Sequence, residues 1–203
     1  MKFILGTKEY MTQIFDENDC VQPVTVVKVG PVTVTQIKTL ENDGYDAVQV
    51  GFGEKKEKNI SRPQRGHTKG LGNFAHLVEN SVSEDSLELK VGDVIKLDAF
   101  AEGELVSTSS ISKSKGFQGV VKRHGFHGGP RSHGQKHTER SPGSIGAGGV
   151  QRVRKGIRMA GRTGGDKVTH KKVKIIKIDS SENIIYLRGA IPGRKGTLVE
   201  IRG

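Results

Sequence analysis

Val24-Thr-Val-Val-Lys-Val29, then Gly30-Pro31, then Val32-Thr-Val-Thr-Gln-Ile37, is the stretch from which the fold class is read. Two β-branched runs parted by a glycine-proline step predict a β-hairpin. Asn42-Asp43-Gly44 predicts the next turn, leading into Ala47-Val-Gln-Val-Gly-Phe52, whose alternation suits a half-buried strand. Further strands are expected over residues 94–100 and 105–111. Residues 173–179 and 184–188 flank Ser180-Ser181-Glu182-Asn183 as another hairpin, and residues 197–201 form a last strand. Many short strands with Gly and Pro turns argue a mainly β fold, a small barrel or sandwich, because a parallel α/β sheet needs helical crossovers. Closure of a barrel also removes exposed strand edges. Residues 71–82 are expected to supply one short helix.

Between these strand signals lies a segment of different composition. Residues 113–172 carry fifteen Lys and Arg against two acids, Glu139 and Asp166, a net +13, while the remaining 143 residues carry eighteen against twenty. The net charge of +11 is therefore this segment minus a remainder at −2. Half of the 28 glycines fall inside it, and only ten of its residues are large and apolar. Such a segment cannot bury a core of its own, so its ordering entropy must be offset by counter-charge and partner surface. Strand signals on both sides make it an insertion that leaves and re-enters one barrel, with its two ends neighbours in space. The expected organisation is a discontinuous β-barrel domain over 1–112 and 171–203, with a smaller polar insertion at about 59–82, and an extended basic arm over 113–170.

Composition narrows the function further. Hydrophobic residues make up 33% of the chain, a deficit concentrated in the arm. The other 143 residues suffice for one core in which about 68% of the unfolded surface is buried. Cys20 stands alone, which excludes an intramolecular disulfide and a multi-cysteine zinc site and favours a reducing, intracellular setting. Lys8 and Glu9 interrupt the apolar opening before a signal-peptide core can form, so no export signal is expected. No apolar run approaches the roughly 20 residues that span a bilayer, and the arm holds too many glycines for a membrane-surface helix.

The arm's residue types point to nucleic acid. Lys113, Lys115, Lys122, Arg123, Arg131, Lys136, Arg140, Arg152, Arg154, Lys155, Arg158 and Arg162 supply point charges and bidentate forks for phosphate, and the glycines let backbone N–H groups approach a sugar-phosphate chain. Phe117 and Phe126 suit stacking on splayed bases, a mode more typical of RNA than of duplex DNA, and equally suit anchoring the base of the arm on the barrel. His124, His127, His133 and His137 suit phosphate or 2′-hydroxyl groups better than zinc, since no Cys is near and a glycine-rich loop does not preorganise a tetrahedral site. Arg140-Ser-Pro-Gly-Ser-Ile-Gly146, with Ser144 in it, reads as a compact tip that packs on an RNA backbone, and the return limb with Arg152 and Arg154 as extended. Arg62, Arg65 and Lys69, in the acid-free stretch 59–76, form a smaller candidate contact.

No catalytic constellation is present. Gly143-Ser144-Ile145-Gly146 does not match a serine nucleophile elbow, and Gly161-Arg-Thr-Gly-Gly-Asp-Lys167 does not match a phosphate loop. Paired carboxylates, a metal cluster and a nucleophile with its base are all missing, so neither an enzyme, a cofactor nor a small-molecule substrate is expected. A sequence-tolerant DNA-binding protein fits the charge but lacks a recognition helix or paired basic ribbon.

Several motifs in order carry a more specific resemblance. Lys115-Gly-Phe-Gln-Gly-Val-Val-Lys-Arg-His-Gly-Phe126, Gly128-Gly-Pro130 with Ser132-His-Gly134, Arg140 with Pro142-Gly-Ser-Ile-Gly146, Lys155-Gly156, Met159-Ala-Gly161, Val168-Thr169 and Gly189-Ala-Ile-Pro-Gly193 resemble the bacterial-type large ribosomal subunit protein L-three family. Met11-Thr-Gln-Ile-Phe15, Pro23-Val-Thr-Val26 and Gly44-Tyr45 with Ala47-Val-Gln-Val50 are similar to its opening, so the resemblance covers nearly the whole chain. It implies a translation-factor-like barrel on the subunit surface and an arm threading ribosomal RNA toward the peptidyl-transferase region. It further implies early binding near the 3′ end of 23S rRNA, nucleation of large-subunit assembly in the cytoplasm, and proteins L-fourteen and L-nineteen as neighbours. Two places depart from the pattern. Gly6-Thr-Lys-Glu-Tyr-Met-Thr12 stands where many members have Gly-Lys-Lys-x-Gly-Met-Thr, and Ala147-Gly-Gly-Val150 follows the Pro-Gly-Ser-Ile-Gly element, so that Gln151 does not occupy the place of the glutamine that is methylated in some bacterial members.

Overall fold

A computed structural model describes residues 2–16, 19–81 and 89–203. The chain opens with β1 (Phe3–Phe15), β2 (Val21–Val29) and β3 (Val32–Lys38), then the short α1 (Leu40–Asp43), β4 (Ala47–Glu54), α2 (Arg62–His67) and β5 (Phe74–Ser81). It continues with β6 (Val94–Ile95), β7 (Leu105–Ile111), β8 (Phe117–Gln118), α3 (Val120–His124), β9 (Gly161–Arg162), β10 (Lys167–Asp179), β11 (Ile184–Arg188) and β12 (Leu198–Arg202). The fold is mainly β. Six strands close into an antiparallel barrel in the order β1-β12-β7-β10-β11-β2, which leaves no free edge among them. The barrel joins the two ends of the chain, since Phe3 pairs with Arg202 and Ile4 with Ile201.

The hairpin expected at residues 24–37 does not form. Both edges of β2 are taken, by β1 and β11, and β3 crosses to a second sheet of order β5-β4-β3-β6. The reason lies in Gly30-Pro31. A two-residue hairpin needs positive φ at its first central residue; Gly30 is not in that region, and Pro31 fixes its own φ near −65°. Gly30 serves a close approach instead, because a Cβ there would lie 2.9 Å from the Phe52 ring. The true hairpin is β3–β4, turned by α1, whose cap Gly44 takes φ +80° and donates its N–H to Leu40 O. One apolar cluster joins barrel residues Phe3, Ile4, Leu5, Val27, Ile175, Ile185, Leu187, Val199 and Ile201 to Val32, Val34, Val48 and Val50 of the sheet. Phe3, Ile4 and Leu5 are buried in succession because both faces of β1 are covered there.

Two further expectations are corrected. Residues 74–81 of the expected helix are the strand β5, paired with β4 at Val48↔Asn80, Val50↔Val78 and Phe52↔His76; Val82 lies outside the described residues. An open β4 edge outweighs weak helix propensity, and the Phe74 ring lies over Gly51, where a Cβ would come within 2.5 Å of it. Helix appears upstream instead, as α2 with Pro63 in its first turn. The strand expected over residues 94–100 stops at Ile95, and a 3-10 turn over Leu97–Ala99 follows, with Leu97 and Phe100 buried.

The chain divides into two compact units, Met1–Ile111 with Lys167–Gly203, and Ser112–Asp166. Lys167 pairs with Ile111 and Thr169 with Ser109, so residues 167–170 belong to the barrel ladder. The second unit is closed at its base by Ser112 N–H to Asp166 O (2.9 Å), Lys115 N–H to Thr163 O (2.8 Å) and Thr163 N–H to Gly116 O (2.9 Å). Its regular structure is the β8–β9 ribbon and α3, and Val120 is its only buried residue.

Candidate nucleic-acid interface

All twelve Lys and Arg of the Ser112–Asp166 unit are exposed: Lys113, Lys115, Lys122, Arg123, Arg131, Lys136, Arg140, Arg152, Arg154, Lys155, Arg158 and Arg162. Among the described residues only Arg131 has a carboxylate partner, Glu139 at 2.6 Å. The other acid, Asp166, sits at the base, where Ser112 Oγ accepts a hydrogen bond from its backbone N–H. Twelve cations against two acids leave +10, and a structure with one buried residue has no apolar core to set against that repulsion.

Backbone geometry holds the unit in shape. Arg123 donates from Nη1 to Met159 O at 2.8 Å and His124 Nε2 lies 3.0 Å from the same oxygen, so α3 is fastened to the return limb. Gly161 makes room for this, since a Cβ there would meet Arg123 Nη1 at 2.6 Å. Arg123 and His124 therefore have a positioning role inside the unit besides any phosphate contact. Glycine is obligatory at Gly164, whose φ is +72° and whose Cβ position is already occupied by Lys113 O. Forcing an L-residue there costs about 1–2 kcal/mol before the overlap is counted. Gly164→Ala is expected to open the base and raise the rate of proteolytic cleavage within residues 113–166 by about tenfold, with hydrogen exchange in β11 unchanged.

Phe117 is 75% exposed and pairs across the ribbon with Arg162, so its ring is open to solvent. Phe126 is half-buried with its ring 6.1 Å from that of His124. His127, His133, His137 and Ser144 are exposed, with His133 at φ +58°. The return limb that carries Arg152, Arg154, Lys155 and Arg158 is neither helix nor strand before Gly161. No cluster of three or more metal-ligating side chains occurs among the described residues.

In the other unit, α2 presents Arg62 and Arg65 three residues apart with Lys69 just beyond. Arg65 is held by Glu57 at 2.8 Å, whereas Arg62 and Lys69 are exposed. A polar relay ties α2 to its sheet: Gln49 Oε1 lies 2.7 Å from His67 Nε2, and Gln49 Nε2 donates to Glu79. Lys38, bridging Tyr45 and Glu79, holds the Glu79 carboxyl below its ordinary range. Sequence reasoning singled out none of His170, Lys171, Lys172, Lys174 and Arg188, which the barrel gathers along one groove. The run His170-Lys-Lys-Val-Lys174 was the available signal, but Arg188 joins it only through strand pairing.

A family model described as Ribosomal protein L3 matches residues 68–184. The large ribosomal subunit protein uL3 of Finegoldia magna is 46% identical over 205 residues, covering 100% of this chain and 97% of that protein. The Heliobacterium modesticaldum protein of the same description is 46% identical over 202 residues, with 99% and 96% covered, and that of Bacillus thuringiensis 44% over 203 residues, with 100% and 96% covered. A match over more than half of the chain, with relatives aligned from end to end, shows that the chain belongs to the ribosomal protein L3 family.

Proposed function

We propose that this chain, a structural and non-enzymatic constituent of the large subunit of the cytoplasmic ribosome, is a primary rRNA-binding protein. In this reading it binds near the 3′ end of 23S rRNA, nucleates assembly of the subunit, and directs its Ser112–Asp166 unit toward the peptidyl-transferase region. Proteins L-fourteen and L-nineteen are its proposed neighbours. The observation that carries the reading is the +10 unit with one buried residue and eleven cations lacking a carboxylate partner among the described residues. RNA supplies the missing counter-charge. Binding then works by release of condensed counterions, with glycine-rich backbone matching the RNA surface and the open Phe117 ring offering a stacking face.

Crosslinking of the protein to RNA in intact cells, with sequencing of the RNA and mapping of the peptides, tests this. Crosslinks are expected in the 3′ part of the large-subunit RNA, on peptides from residues 115–165. Dispersed crosslinks, or DNA in place of RNA, would overturn it.

A further inference from the structure

Strand β10 loses its alternation at residues 169–172. It pairs with β7 at His170↔Thr108 and again at Val173↔Val106, so Lys171 and Lys172 together face the single residue Ser107. One extra residue on one strand is a β-bulge, and Lys172 makes it by taking φ +58°, a conformation usually left to glycine. Four consecutive residues, 169–172, are consequently exposed where a regular strand half-buried in a barrel would expose two. The bulge re-aims lysine side chains outward, and lysine occupies the position where glycine is the easier choice.

These side chains do not stand alone. His170, Lys171, Lys172 and Lys174, with Arg188 from the neighbouring β11, line a groove of about 660 Å³ that has no acid in its wall among the described residues. Several cations elsewhere in this unit are paired with carboxylates, Lys2 with Glu104 at 2.8 Å, Lys38 with Glu79 at 3.0 Å and Lys167 with Glu200 at 2.6 Å. The groove's cations make no ion pair among the described residues. Asp16 and Glu102 line the adjoining cavity with Lys174 and Arg188, but they accept N–H groups from Cys20, Gln22 and Ile178.

We propose that this groove is a second phosphate-binding site, on the barrel itself, that takes the phosphodiester backbone of the bound RNA; the inference rests on the RNA-binding reading above. Like charges gathered on one wall repel one another in the free protein, and a bound polyanion relieves that repulsion. Lysines meet phosphate oxygens as point charges and Arg188 adds a planar fork. Among the described residues the groove's lining holds no Phe, Tyr or Trp, and its four cations match the phosphodiester backbone, the part of an RNA that carries no sequence information.

The test uses the full-length protein and a transcript of the 3′ part of the large-subunit rRNA, with affinity measured from 50 to 200 mM salt. The variant Lys171→Gln with Lys172→Asn and Lys174→Gln removes three charges, and Asn tolerates the left-handed conformation. The slope of log affinity against log salt is expected to become shallower by about 2–3, at 0.7–0.9 per phosphate lost. Arg188→Gln alone is expected to flatten it by about 0.8, an independent readout on a strand without the bulge. A second triple variant, Arg152→Gln with Arg154→Gln and Lys155→Gln, reports on the other unit. If it flattens the slope while both groove variants leave the slope unchanged, the groove proposal falls and the RNA reading stands. If no variant moves the slope, the RNA reading falls as well.

Discussion

Replacing Ser112–Asp166 by a two-residue Asn-Gly turn is expected to leave a folded barrel whose affinity for large-subunit RNA has fallen by about 10³-fold or more near physiological salt. Ile111 and Lys167 are paired residues of β7 and β10, so the cut ends already face each other, and a type I′ turn closes two antiparallel strands at that spacing. The unit removed holds one buried residue, so it takes almost no apolar core of its own with it. It also holds twelve exposed cations. If about eight of them neutralise phosphates, the intact protein should lose affinity with log salt at a slope of about −6 to −7, and the deletion should retain only the part owed to the barrel. Circular dichroism and thermal unfolding check the fold; a salt titration of RNA binding checks the rest. A folded deletion variant that bound the RNA as tightly as the intact chain would sink the assignment of the interface to this unit.

What the sequence made legible, and what it did not, follows from where each residue's partner lies. The β10–β11 hairpin was legible because its strands and turn are contiguous, with Asp179 paired to Ile184 across four residues. β2 was legible as a strand but not in its pairing, because its partners are Met11 and its neighbours on one side and Tyr186 on the other. Local rules assign the nearest run as partner, and here that run, β3, belongs to another sheet. β5 was mistaken for helix because its stabilising contact, the Phe74 ring on Gly51, spans 23 residues and leaves no periodic trace. The basic interface was legible for the opposite reason: charge segregation over residues 113–172 is a property of composition and needs no contact to be seen. The groove at β10 combines both cases, since its lysines are a visible run, whereas the bulge that aims them and the arrival of Arg188 are tertiary.

Leu187→Ala should separate stability from binding in the opposite sense to the deletion. Leu187 lies on β11, paired with Ile175 of β10 and Thr25 of β2, and is 0% exposed in the apolar cluster that joins barrel and sheet. Truncating it removes the transfer free energy of its missing carbons and leaves a cavity between strands already bonded on both sides. A closed barrel relaxes little around such a void, so a cost of about 2–5 kcal/mol is expected. For a unit of this size that lowers the unfolding midpoint by about 10 °C. The cations of Ser112–Asp166 are untouched, so at temperatures where the barrel remains folded the salt slope of RNA binding should match that of the intact protein. Calorimetry and the same salt titration read the two quantities independently. A lowered midpoint with an altered slope would mean that barrel packing and phosphate contact are coupled. A lowered midpoint with an unchanged slope would mean that the barrel holds the interface in place without contributing its charge at that position.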